Sequence, residues 1–160
     1  MPMYSTGARG WTPVAHADAA ATLASSSYHA LRTTTASTLR ILEVFIGGEA
    51  SSSTVNRMAY RRLSTNASTP TNVAPSKLNP LSAAAVSQGY VAASTGPTIA
   101  SAPTDILNLA FNAFGGIIRW VAAPNEEIWQ TAGTAPNGEA VLDSISGTGV
   151  VSTHMIFEEM

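Results

Sequence analysis

The chain has 160 residues, 45% of them hydrophobic and 11% charged, with no cysteine, 12 glycines, 9 prolines and a formal net charge of −2. That is one domain's length, enough to bury roughly two-thirds of the surface exposed by the unfolded chain without help from disulfides or metals. The missing cysteines exclude disulfide frameworks, thiolate metal sites and thiol nucleophiles, and a pI near 5.8 argues against a strongly basic nucleic-acid binder.

The charged fraction is less than half the roughly 25% of ordinary soluble domains. Solvation falls instead to 36 Ser and Thr residues, while 27 Ala fill much of the remainder. Low charge with a mean hydropathy of +0.13 is not the composition of a disordered chain. No apolar run approaches the roughly 18 residues that span a bilayer, and the N-terminus lacks the basic-then-apolar layout of a signal peptide. A soluble chain that binds neither membrane nor nucleic acid directly is expected.

In chain order, residues 1–20 read as an extended N-terminal arm, with Tyr4, Trp11 and Val14 as isolated anchors among small residues. Asp18 is placed as a helix N-cap would be, but Ser25, Ser26 and Ser27 follow and no 3.6-residue stripe is kept, so extended structure ending in a strand is expected before Arg32. Leu39 to Ile46 reads as a buried strand stopped by Gly47-Gly48. Val55 to Leu63 alternates, with Met58 and Tyr60 on one face and Arg57 and Arg61 on a wet one.

Residues 64–104 carry five prolines amid Ser, Thr and Ala and predict one long loop, with a short helical turn over 78–86 after Pro80. Beyond it, two apolar runs flank Gly115-Gly116 and predict a hairpin. Glu127 to Thr131 predicts a short strand, Asn137-Gly138 a second hairpin turn into Glu139 to Ile145, and Val150 to Glu159 a last strand with Val151, Thr153, Met155 and Phe157 on one face. The sum is an all-β fold of about seven or eight strands: an antiparallel β-sandwich, jelly-roll-like, forming a single domain over 21–160.

Chemistry-bearing motifs are sparse. His16, His29 and His154 have no zinc spacing, no G-x-S-x-G elbow is present, and Gly147-x-Gly149 is a turn. The doublets Glu126-Glu127 and Glu158-Glu159 each point to opposite faces of a strand, so neither doublet forms a glycosidase pair. No enzymatic activity, cofactor or metal is expected. Asn66-Ala67-Ser68 matches a glycosylation triplet, a match expected to be accidental without a secretion signal.

Charge is uneven along the chain. Residues 1–80 hold seven basic against three acidic side chains (+4), and residues 81–160 one against seven (−6). Either the halves occupy different faces and let copies dock head to tail, or a sandwich interleaves them and the asymmetry averages away. Tyr4, Arg9 and Trp11 in the arm, and the basic cluster Arg57, Arg61 and Arg62, are the candidate interface residues. For the cluster, pairing with the acidic half is favoured over phosphate binding.

The order of segments I-L-E-V-F-I-G, N-R-M-A-Y-R-R-L-S-T, K-L-N-P, L-A-F-N-A-F-G-G-I-I-R-W-V-A-A-P-N-E-E-I and M-I-F-E-E resembles small virion structural proteins of tailed bacteriophages. The most specific pieces are residues 119–124, R-W-V-A-A-P, and the terminal F-E-E. The resemblance covers roughly residues 30–160 and implies a capsid decoration, or cement, protein. Its place would be the virion surface, where trimers bind the major capsid protein without catalysis or cofactors. The alternative is a carbohydrate-binding module of a phage fibre or other virion surface protein, using Trp11, Trp120 or Trp129 as stacking platforms.

Overall fold

A computed structural model describes residues 1–16, 21–99, 105–131 and 137–160. It contains thirteen strands among the described residues and no helix. They are β1 (Met3–Trp11), β2 (His29–Arg32), β3 (Thr38–Gly48), β4 (Val55–Thr65), β5 (Ser68–Val73), β6 (Ser76–Lys77), β7 (Gln88–Thr95), β8 (Thr98–Ile99), β9 (Asp105–Asn112), β10 (Ile117–Val121), β11 (Ile128–Thr131), β12 (Glu139–Ser146) and β13 (Val151–Glu159).

Two antiparallel sheets result, the β-sandwich expected. The first runs β10-β3-β13-β1-β6, with β11 beside β3 on the same side as β10. The second runs β5-β7-β2-β12-β4-β8, with β9 also on the far side of β4. Successive strands usually fall in different sheets, so neighbours within a sheet are distant in sequence.

Strict alternation places the first sheet. In β13, Val151, Thr153, Met155, Phe157 and Glu159 face inward and the intervening residues are half-exposed. Leu39, Ile41, Val44 and Ile46 of β3 join them, and Leu31, Met58, Tyr60, Ala140 and Leu142 come from the other sheet. The second sheet is covered on both faces, which is why β12 is buried almost continuously. Its outer face carries a second cluster in which Leu23, Tyr28, Tyr90 and Ile99 close over Ala30 and Val141.

Several expectations are corrected. The segment expected as an extended N-terminal arm outside the domain contributes β1, a strand paired with β13 along its length and with β6 at Tyr4 and Ser5. Tyr4, Ala8 and Trp11 are buried, because alternation puts Tyr4 and Ala8 on one face and the register shift between Ala8 and Trp11, with Gly10 at φ +55°, turns Trp11 onto it as well. Asp18 lies outside the described residues.

The loop expected over 64–104 contains β5 to β8. Pro70 sits in β5, an outermost strand of its sheet, where a missing N–H is tolerated. Residues 78–86 form turns without a helix.

Neither expected hairpin forms. The strands flanking Gly115-Gly116 separate, β9 pairing with β4 and β10 with β3. Gly115 has φ +71°, and a Cβ on Gly116 would lie 2.0 Å from the Asn112 carbonyl, so the glycines make a corner between sheets. β11 and β12 likewise belong to different sheets. Alternation says which side chains face inward but not which sheet receives the strand.

Candidate functional site

The structure disperses the six candidate interface residues. Tyr4 is buried, its ring stacked on Phe157 at 5.7 Å and its hydroxyl donating to the Ala83 carbonyl at 3.0 Å. Burial, with the nearby Glu159 carboxylate, raises its pKa. Trp11 is buried and donates from Nε1 to Thr153 Oγ1 at 3.1 Å. Arg61, expected on a wet face, is only 3% exposed. Its Nε lies 3.0 Å from Asp143 and 3.3 Å from Asp105, because segments outside β4 cover that face. Arg62 is half-buried and donates to the Trp129 and Asn137 carbonyls. Arg9 and Arg57 are exposed, on strands of opposite sheets.

The charge asymmetry is spent inside the fold. Arg32 pairs with Glu139 at 2.5 Å, Arg40 with Glu127 and Glu158, Arg61 with Asp105 and Asp143, and Arg119 with Glu43. Every one of these pairs joins residues 1–80 to residues 81–160. Of the two arrangements open from sequence, the interleaved sandwich is the one observed. Burial outweighs the partner at two acids, raising Glu139 despite Arg32 and Asp143 to about 7 despite Arg61.

Between the sheets lies a polar bridge that sequence reasoning missed. His29 Nδ1 is 3.0 Å from Thr153 Oγ1, and its Nε2 is 3.3 Å from Thr6 Oγ1. One assignment satisfies every group: Trp11 Nε1–H donates to Thr153, the Thr153 hydroxyl donates to His29 Nδ1, and His29 Nε2–H donates to Thr6. Burial pushes the imidazole pKa down to about 3, with the neighbouring His154 acting in the same direction. The neutral ring ties two strands of one sheet to β2 of the other. Sequence offered only a histidine at a strand start, with no local pattern to mark its partners.

Among the described residues no group of three or more His, Cys, Asp or Glu is arranged to hold a metal ion. Three of the doublet acids have structural partners: Glu127 pairs with Arg40, and Glu158 accepts from Arg40 on the outer face. Glu159 turns inward to accept the Val86 and Ser87 N–H groups at 3.0 and 2.7 Å. The three tryptophans do not share a surface: Trp11 is buried, Trp120 half-buried against the core, and Trp129 exposed with the Arg40 guanidinium 5.9 Å from its ring centre.

The surface is more informative. At one end, the turn at residues 78–86 carries Leu81 at 93% exposure. It is tightly braced: Lys77 Nζ donates to the Pro80 and Ser82 carbonyls, the Leu81 N–H donates to Asn79 Oδ1, and Tyr4 and Glu159 hold its far side. Beside it lies an apolar groove of about 520 Å³ formed by Met1, Pro2, Ala83, Ala84, Val86 and Met160.

Along one side of the sandwich, β9 and β10 bound the two sheets. There Leu107, Leu109, Phe111, Ile118 and Trp120 pack on the core while remaining half-buried.

No protein-family model, curated protein or solved structure matches the chain. Fold and surface together define an all-β sandwich with large hydrophobic side chains exposed at one end and along one side.

Proposed function

We propose that the chain is a non-catalytic virion structural protein of the decoration type, binding the outside of a phage head and stabilising contacts between major capsid protein subunits. The observation that carries this reading is the braced turn at residues 78–86. A leucine held 93% exposed by surrounding hydrogen bonds is a pre-organised anchor, since little ordering entropy remains to be lost when it enters a partner's pocket. The low charge, the adjoining apolar groove and the sequence resemblance support the same role, because contiguous exposed apolar surface marks interfaces.

The test is quantification of the chain in purified virions of a phage that encodes it, together with heat-induced DNA release from heads with and without it. Copy numbers in simple ratio to the coat, and earlier release from heads lacking it, are expected. Leu81→Asp should abolish head binding while circular dichroism and thermal midpoint stay unchanged. Absence from virions, or heads equally stable without the chain, would refute the reading.

A further inference from the structure

We propose that the β9/β10 side is a self-association surface, where a second copy of this chain docks across a two-fold axis so that β10 pairs with its mate in one sheet and β9 with its mate in the other.

The backbone makes the first argument. Gly48 N–H donates to the Gly116 carbonyl and Ala122 N–H to the Leu42 carbonyl, so alternate residues Ile118 and Trp120 turn their polar groups to β3. The N–H and C=O groups of Ile117, Arg119 and Val121 therefore point away from the sheet. On β9, Ala113 N–H donates to Thr54, which by the same alternation leaves Asn108 and Ala110 facing outward. Among the described residues β10 pairs only with β3, and β9 only with β4.

The second argument is contrast. The opposite side of the sandwich is guarded in the usual ways. There β5 carries Pro70, a register shift at Thr71/Asn72 and a positive φ at Thr69, while β6 is two residues long, ends in Lys77 and follows Pro75. By comparison β10 reads I-I-R-W-V, and its single charge is already held by Glu43 at 2.7 and 2.8 Å. Ile117 and Val121 are 68% and 53% exposed. Unguarded apolar edges of this kind pair with another strand.

The third argument selects the occupant. Two edges, in sheets about 10 Å apart, flank one apolar rim, and a single strand from a foreign partner completes only one of them. A two-fold axis normal to the sheets sets each edge antiparallel to its own mate, extends both sheets and closes the half-buried rim against itself. Such a contact is isologous. Centred on Arg119, it places Ile117 opposite Val121 of the mate and Ile118 opposite Trp120. The facing arginines meet as Glu43-paired units, which offsets their like charge.

Sedimentation equilibrium of the purified chain tests this independently of head binding. A two-protomer mass is expected, and Leu81→Asp should leave it unchanged. Ile117→Lys with Val121→Lys guards the edge at two exposed positions, so folding should persist by circular dichroism while the dissociation constant rises about tenfold or more. A monomer up to millimolar concentration overturns the proposal, as does a dimer indifferent to the lysines. A three-protomer mass overturns it too, because a two-fold contact cannot close a ring of three.

Discussion

Replacing His29 by Gln removes the one titrating group in the bridge between the sheets. In the unfolded chain the imidazole takes a proton below about pH 6.5, whereas in the fold burial holds its pKa near 3. The native state therefore binds fewer protons than the unfolded state between those values, and this contribution to stability is lost as pH falls. From pH 7 to pH 4.5 the loss is on the order of 2–3 kcal/mol for this group alone. Asp143 acts in the opposite sense: its carboxyl is raised to about 7, so its folded form favours the proton and loses stability as pH rises from about 4 to 7. The wild-type profile will show the difference of two opposed slopes, and the informative quantity is wild type minus His29→Gln, in which Asp143 cancels. At pH 7 the variant should be the less stable, having lost hydrogen bonds to Thr6 and Thr153. Urea unfolding at both pH values should show it regaining on the order of 2–3 kcal/mol relative to wild type at pH 4.5. Parallel wild-type and variant profiles would refute the assignment of a buried, neutral imidazole.

Two further outcomes follow from packing. Phe157→Ala empties a fully buried site against Tyr4 and should cost about 3–5 kcal/mol in chemical denaturation; a loss below 1 kcal/mol would mean that the sheets close over the void. Gly48→Ala would place a Cβ 2.2 Å from the Ala113 carbonyl, so it should lower the thermal midpoint and speed hydrogen exchange at the corner joining β9 to β10. Unchanged exchange there would show that the corner yields without loss.

The proposed roles use different parts of one surface. The turn bearing Leu81 lies at the end where the N- and C-terminal residues meet, and the open edges lie along a side bounded by β9 and β10. A lattice protein that both binds its support and pairs with its own kind requires two such separate contacts. Ten of the charged side chains are drawn into pairs that join the two halves of the chain, so hydroxyl and apolar groups make up much of the outer surface.

The positions of β3, β4 and β13 were legible because a strand's inward face repeats every second residue and needs only local sequence to be read. Alternation and turn residues together foretold an all-β chain, and the uneven charge left two arrangements open, of which the sandwich shows the interleaved one. Only the tertiary structure decided that the strands around Gly115-Gly116 part into different sheets, that residues 64–99 hold four strands rather than a loop, and that Arg61 is buried. The physical reason is common to all three: each depends on what packs across the chain from residues tens of positions away, and edge pairing or a covered outer face leaves no periodic mark in the segment itself. The same holds for the candidate surfaces, since Leu81 and the I-I-R-W-V strand become contact surfaces only through the side of the sandwich on which they emerge.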